Sequence, residues 1–189
     1  MICEKYDRLF HHISPDYTSM ILGLSEAKST FEISRPGVVH MHTDLSNGGK
    51  CDVMPECALK FLHETNQAEE LINSMPVRGV FSSTHNSLLS DYVRLKEKYN
   101  LHYEINFERW FVEIGCDLLK EEMKWKSQEE KKEHLKMFNT AIESVFGDNN
   151  KKIMGQIRDK MPRPRSHIVL GLRAIAKKIL KPILKSGYS

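Results

Sequence analysis

The sequence predicts an α/β protein, with a Rossmann-like parallel sheet of about four strands, helical cover and a helical C-terminal third. Short apolar runs rich in β-branched and aromatic residues recur between residues 38 and 115. Apolar residues at helical spacing separate the first three of these runs. After residue 117 the chain becomes dense in Glu and Lys at helical spacing. Strands that alternate with helices are typical of a parallel sheet.

Each element has its own sequence signal. The predicted strands are residues 38–42, 77–81, 101–107 and 109–115. The predicted helices are residues 4–12, 16–27, 55–74, 84–99, 117–146 and 150–161. Pro55 suits a first helical turn, and Thr84 or Asn86 can cap the helix that follows. Gly147 predicts the stop of the long helix.

Length and charge divide the chain into two parts. At 189 residues it has room for one domain, which we place at 1–161. Residues 162–189 are a Pro/Arg linker and a basic segment in which all seven charged residues are basic. Since the chain has 28 basic and 25 acidic residues, residues 1–162 hold 21 basic against 25 acidic ones. Such asymmetry indicates a polyanionic partner, either a membrane or a nucleic acid.

The N-terminus and the cysteines indicate a cytoplasmic protein. Residues 1–8 are charged and contain no apolar signal-peptide core. The four cysteines lie far apart and form no CxxC pair, which favours reduced thiols.

Residues 36–49 hold the first candidate site. An apolar run leads into an alternating polar face made of His40, His42 and Asp44. A turn with Asn47, Gly48 and Gly49 follows, and glycine lets a backbone approach a ligand closely. The turn would bind a phosphate or nucleotide diphosphate through its N–H groups, with His42 or Asp44 as base. A polar strand end with a flexible turn, without chemistry, would give the same pattern.

The segment His42-Thr43-Asp44-Leu45-Ser46-Asn47-Gly48-Gly49 resembles the first strand and glycine turn of glycosyltransferases built from two Rossmann-like lobes. The resemblance covers about a dozen residues. It implies transfer of a glycosyl group from a nucleotide-sugar donor, with the glycine turn near the cleft between the lobes.

A second hypothesis is a metal-dependent phosphodiester hydrolase. Two imidazoles and a carboxylate, His40, His42 and Asp44, would hold Mg²⁺ or Mn²⁺ together with Glu113. The His-x-His opening is similar to that of metal-dependent phosphoesterases with a small barrel fold. Glu113, with Asp91 and Lys126, resembles the metal-binding core of viral cap-snatching endonucleases. Alternatively, Glu113 faces solvent or pairs with a lysine.

Two further patterns have functional interpretations. Cys51, Cys57 and His63 could join the His40/His42 pair in a zinc site, although their spacing matches no common zinc module. The strand that contains Glu113 also looks like the opening of a methyltransferase, but it lacks the glycine-rich turn.

The C-terminal segment, residues 167–185, predicts a basic amphipathic helix from about His167 to Lys181 or beyond, which Pro182 would kink or end. One side is apolar, with Leu172, Ile175, Ala176, Ile179, Leu180 and Ile183. Beside it, basic residues repeat every four positions: Arg173, Lys177, Lys181 and Lys185. Such a helix can lie on an anionic membrane surface, or it can dock on the fold with a solvated basic edge. Nucleic acid ranks third, because few aromatic residues accompany the basic ones.

These patterns leave three functional hypotheses open. The first is a transferase that binds a phosphate or nucleotide sugar and rests on a membrane. The second is the metal-dependent nuclease. The third is a non-enzymatic interaction protein whose Glu/Lys-rich helices and basic tail bind partners, and it requires residues 163–189.

Overall fold

The part of the chain that the structure describes folds as a helical protein. A computed structural model describes residues 5–8, 14–28, 47–64, 66 and 68–161. No β-strand occurs among these residues, so the predicted Rossmann-like parallel sheet is wrong for them. In chain order the helices are α1 Pro15–Glu26, α2 Asn47–Val53, α3 Pro55–Glu64, α4 Ala68–Ser74, α5 Thr84–Tyr99, α6 Phe107–Leu119, α7 Gln128–Phe146 and α8 Asn150–Lys160, with a 3₁₀ turn, Gly147–Asn149, before α8.

Side-chain caps fix the starts of the longer helices. Ser83 accepts a hydrogen bond from the N–H of Asn86, Asn106 from that of Arg109, and Ser127 from that of Glu130. Each satisfies an N–H group that has no partner within its own helix. At the other end of α5, Asn100 adopts the left-handed conformation that commonly ends a helix.

The largest core lies around α6, which packs against α5, α7 and α8. Its fully buried side chains include Leu89, Phe111, Ile114, Leu118, Ile142 and Ile157. A smaller cluster joins α1 to α5 through Tyr6, Leu22, Leu95 and Leu101. A third lies between α3 and α4 and contains Leu62, Ala68, Leu71 and Met75.

The predicted strand at 109–115 is part of helix α6. Phe111, Ile114, Gly115 and Leu118 are buried. Their spacing is that of one helical face, i, i+3, i+4 and i+7. The aromatic and β-branched residues favoured a strand locally, but burial against three helices decides the conformation.

The predicted strand at 77–81 is a turn held by one buried side chain. The Asn86 Oδ1 atom accepts a hydrogen bond from the N–H of Val77 at 3.0 Å. Its Nδ2 atom donates to the carbonyls of Val77 and Val80 at 2.9 and 2.8 Å. These are the bonds that a neighbouring strand would otherwise supply.

The predicted strand at 101–107 is wrong, because Phe107 begins α6 and residues 101–106 form no strand, although burial alternates along 101–106. Leu101 is buried and Tyr103 is half-buried, whereas His102 and Glu104 are exposed. The segment lies between α5 and α6 without a partner strand. The fourth predicted strand, 38–42, lies outside the described residues.

The predicted helices after residue 14 are confirmed within the described ranges, with changed bounds, whereas the predicted helix at 4–12 is not, because the described residues 6–8 are not helical. The predicted 55–74 helix is divided into α3 and α4, and the predicted 117–146 helix begins at Gln128. The stop at Gly147 and the helix after it are confirmed. The described residues contain no helix that is both long and apolar enough to cross a bilayer. Residues 162–189 lie outside the described part.

Candidate functional site

A cluster of polar side chains joins the start of α5 to the end of α6. The Asp117 carboxylate at its centre is only 2% exposed. Its Oδ2 atom accepts hydrogen bonds from the Ser83 hydroxyl at 2.8 Å, from the His85 N–H at 3.2 Å and from the His85 ring at 2.8 Å. Its Oδ1 atom lies 2.9 Å from the Lys120 ammonium. Four donors therefore surround one buried carboxylate.

The Lys120 ammonium extends this cluster to α2. It donates to both oxygens of Asp52, at 3.1 and 3.3 Å. The Thr84 hydroxyl also donates to Asp52, at 3.1 Å. We call these six residues the Asp117 network: Asp52, Ser83, Thr84, His85, Asp117 and Lys120. The network connects α2 to the start of α5 and the end of α6.

The electrostatics of the network favour the charged forms of Asp117 and Lys120. Burial raises the pKa of Asp117, but the hydrogen bonds and charges of His85 and Lys120 outweigh it and lower the pKa to about 2. Burial lowers the pKa of Lys120, but Asp117 and Asp52 reverse this effect and raise it above its usual value. Both groups are therefore ionised at neutral pH.

His85 and Asp117 form an imidazole–carboxylate pair, which is one component of acid–base catalytic sites. A carboxylate that holds Nδ1 fixes the orientation of an imidazole and leaves Nε2 to exchange protons. The His85 side chain is 35% exposed and lies against the Trp110 ring, with the ring centres 5.9 Å apart. No described side chain is hydrogen-bonded to Nε2, and the Ser83 hydroxyl donates to Asp117 instead. The described residues therefore supply an oriented imidazole whose neighbouring hydroxyl, that of Ser83, is bonded to Asp117.

A second histidine, His134, is buried and structural. Its Nδ1 atom shares a hydrogen bond of 2.7 Å with the Ser82 hydroxyl. The rings of Phe81 and Trp125 pack edge-on against it. Burial lowers the pKa of His134, so the neutral form is favoured in the fold.

The structure describes only part of the predicted site at 36–49. His40, His42 and Asp44 lie outside the described residues. Asn47, Gly48 and Gly49 form the first turn of α2, where we expected a turn after a strand. Phosphate or nucleotide-sugar binding at these residues stays a prediction.

The fourth residue of the predicted metal site lies on α6 and is paired. The Glu113 carboxylate forms an ion pair with Lys160 of α8, which was the alternative interpretation of this residue. Among the described residues, which include Cys51, Cys57 and His63, no three His, Cys, Asp or Glu side chains are grouped to hold a metal. Asp91, from the endonuclease resemblance, is buried and accepts the N–H of Ser14 at 3.0 Å.

An apolar groove lies between α1 and the α5–α6 connection. Its lining includes Ile21, Leu24, Tyr92, Tyr103, Ile105 and Trp110, and we call it the α1 groove. Tyr92 packs edge-on against Trp110 and Tyr103, with ring centres 5.5 and 6.5 Å apart. These contacts fix the aromatic side of the groove before any ligand arrives.

Comparison of the chain with protein-family models, with curated proteins and with solved structures finds no match. The functional argument therefore depends on this chain's own residues.

The Asp117 network was missed because residues 109–115 were interpreted as a strand and Asp117 as the start of a separate helix over 117–146. On a helix, Asp117 falls between the buried Ile114 and Leu118 on the apolar side of α6. A carboxylate there requires buried partners, and Lys120 is one turn away. That signal is present in the sequence, but it becomes visible only once the segment is taken as helical.

Proposed function

We propose that this chain is a non-enzymatic interaction protein that attaches to anionic membrane surfaces through residues 163–189. One observation carries the proposal: all seven charged residues of this segment are basic. Anionic lipid headgroups attract such clusters over about a Debye length.

The charges of the helical part of the chain support the assignment of membrane binding to residues 163–189. Lys5 and Lys98 pair with Glu26 and Asp7. Lys120, Lys152 and Lys160 likewise pair with Asp117, Glu108 and Glu113. Because acidic residues also outnumber basic ones in residues 1–162, attraction to an anionic surface falls to the C-terminal segment.

The spacing within the segment adds an apolar contribution. Its apolar and basic residues follow helical periodicity on adjacent sides, as in helices that lie in the membrane interface. Each basic residue near an anionic surface contributes about 1 kcal/mol. Three lysines together therefore contribute about 3 kcal/mol, or about a hundredfold in affinity.

A vesicle experiment with matched variants tests the proposal. The full chain is sedimented with vesicles of phosphatidylcholine alone, and with vesicles of phosphatidylcholine and phosphatidylserine in equal parts. We expect binding only to the anionic vesicles. The triple variant Lys177→Ala, Lys178→Ala, Lys181→Ala should bind about a hundredfold more weakly, with less binding at higher salt.

A second triple variant with the same charge change is the control. Lys131→Ala, Lys132→Ala, Lys136→Ala removes three charges from α7 within the helical part. It should keep its affinity for the anionic vesicles. Equal loss in both variants would show a response to net charge alone and contradict the proposal. Binding to a nucleic acid duplex without binding to vesicles would also contradict it.

The enzymatic hypotheses remain predictions with direct tests. A nucleotide sugar present at about 100 times its dissociation constant should raise the free energy of unfolding by about 2.7 kcal/mol. Mn²⁺ should support cleavage of simple nucleic acids if His40, His42, Asp44 and Glu113 form a site. The absence of both effects would remove both hypotheses.

A further inference from the structure

Helix α1 has an apolar face that the described residues leave exposed. Tyr17, Met20 and Leu24 are 44%, 50% and 54% exposed. They lie at i, i+3 and i+7, so they share one side of the helix. The opposite side is anchored, because Thr18 and Leu22 are fully buried. The exposed face continues into the α1 groove at Leu24.

The charges around this surface are mainly acidic. Helix α1 contains Asp16 and Glu26 and no basic residue. Glu104 lies at the edge of the α1 groove. Within the described residues, neither Asp16 nor Glu104 forms an ion pair, whereas Glu26 pairs with Lys5. Lys96, a cation near this edge, donates to the carbonyl of Tyr103. The surface therefore suits an apolar helix with basic flanks.

The described part of the chain ends beside α6, the helix that contributes Trp110 to this groove. Lys160, the last residue of α8, pairs with Glu113 of α6. Glu113 is three residues beyond Trp110, which corresponds to about 4.5 Å along the helix axis. The linker 162–166 can span about 17 Å when extended, and its two prolines favour that conformation. This is more than the diameter of a helix, about 10–12 Å.

We infer that the α1 groove and the adjoining face of α1 receive the apolar side of residues 167–183 of the same chain. Leu172, Ile175 and Ile179 would pack against Met20, Leu24 and Trp110. The basic residues beside them would lie near Asp16 and Glu104. This inference rests on the proposed function, because the acidic surface around the α1 groove would compete with the membrane for residues 167–183. Docking would hold the segment back until an anionic surface captures it.

Hydrogen–deuterium exchange on the full chain tests the docking without any membrane. In the wild type, amides of residues 167–181 should exchange at least about tenfold more slowly than an unstructured chain does. Leu24→Glu should remove this protection, and Met20→Glu should do the same by an independent change on the same face. Val145→Glu is the control, since Val145 is 52% exposed on α7. It should leave the protection unchanged.

Vesicle binding by the same variants separates this inference from the proposed function. Released segments should bind phosphatidylserine-containing vesicles more tightly, so Leu24→Glu should increase binding and Val145→Glu should not. Protection that depends on Leu24, without vesicle binding, would support docking and overturn the membrane proposal. Vesicle binding without protection would overturn docking alone.

Three results would assign the groove to another occupant and overturn the inference. Protection of residues 167–181 that falls on dilution would indicate a second copy of the chain. If Leu24→Glu changed the amide exchange of residues 29–46 but not of residues 167–181, the occupant of the groove would be residues 29–46. Weaker vesicle binding by Leu24→Glu would mean that the α1 face itself contacts lipid.

Discussion

Asp117 shows how a buried charge is accommodated at the scale of single residues. A carboxylate that is removed from water costs several kcal/mol unless partners compensate it. Ser83, His85 and Lys120 provide that compensation through four donors. The same bonds position the first turn of α5 against the end of α6. Removal of the charge should therefore affect both stability and its dependence on pH.

The fold should lose stability in acid through Asp117. Its pKa is about 2 in the fold and near 3.8 in an unfolded chain. A lowered pKa contributes stability that is fully present above about pH 4 and is lost as the pH falls through about 2. The contribution is about 2 kcal/mol. Urea unfolding from about pH 7 to about pH 2 measures it.

Asp117→Asn should be less stable at neutral pH and should lose less stability over that acid range. Asp148→Asn, on the exposed 3₁₀ turn, is the matched control that removes a carboxylate outside the network. If Asp117→Asn kept the wild-type acid dependence, the network would not stabilise the fold as described.

Asn86 accounts for the turn at residues 77–81, which could not be predicted from the sequence. Val77 and Val80 are fully buried, as an apolar run predicts. The backbone N–H and carbonyl of Val77 bond to the side chain of Asn86, nine residues further on. Secondary-structure propensities do not predict such a contact. Burial was therefore predictable, whereas the geometry was decided by a tertiary contact.

At the scale of elements, α6 packs closely against α7 and α8 because position 115 has no side chain. A Cβ atom placed on Gly115 would lie 2.9 Å from the Phe138 ring and closer still to the Ile157 side chain. Both neighbours are buried, so neither can move away freely. Gly155 on α8 differs, because no atom lies within 4 Å of a Cβ placed there.

The two glycines give opposite predictions for the same substitution. Gly115→Ala should destabilise the fold by about 1–2 kcal/mol, because overpacking outweighs the gain in helix propensity. Gly155→Ala should stabilise it by about 0.5–1 kcal/mol through helix propensity alone. Urea unfolding of both variants measures the difference. A stabilised Gly115→Ala would mean that α6 and α8 are packed less tightly than described.

The error over residues 109–115 has a physical cause that concerns the whole element. Trp110, Phe111, Val112 and Ile114 have the strand preference of aromatic and β-branched residues. Their helical spacing becomes clear only when Gly115 and Leu118 are counted with them. Glycine is a poor helix former, so a prediction from the local sequence ends the element at Gly115. The packing of α6 against α7 and α8 requires a glycine at this same position.

At the scale of the whole molecule, the apolar clusters formed by the described residues differ in size. Among those residues, the cluster around α6 has eleven buried members, whereas the cluster that holds α1 has four. Fewer buried contacts lower the free energy of local opening. Helix α1 should therefore open without global unfolding.

Native-state hydrogen exchange should show this order. The amides of α1 should exchange faster than those of α6. Leu22→Ala removes a fully buried side chain from the smaller cluster and should cost about 2–5 kcal/mol. It should speed exchange in α1 more than in α6. Equal rates in both helices would mean that the described fold opens as one unit.

The charge asymmetry of the chain is visible without any structure, because it depends on composition alone. The α1 groove is not, because Leu24, Tyr103 and Trp110 come together only when three separate segments pack. Composition thus predicts a class of partner, and packing defines the surface that could compete with it.

The position of Asp117 has a consequence for any search for anion ligands. The start of a long helix ordinarily offers unsatisfied N–H groups to a phosphate. At the start of α5 the Asp117 carboxylate already occupies this position, and Ser83 and His85 donate hydrogen bonds to it. A phosphate arriving there would have to displace a counter-ion that is built into the chain.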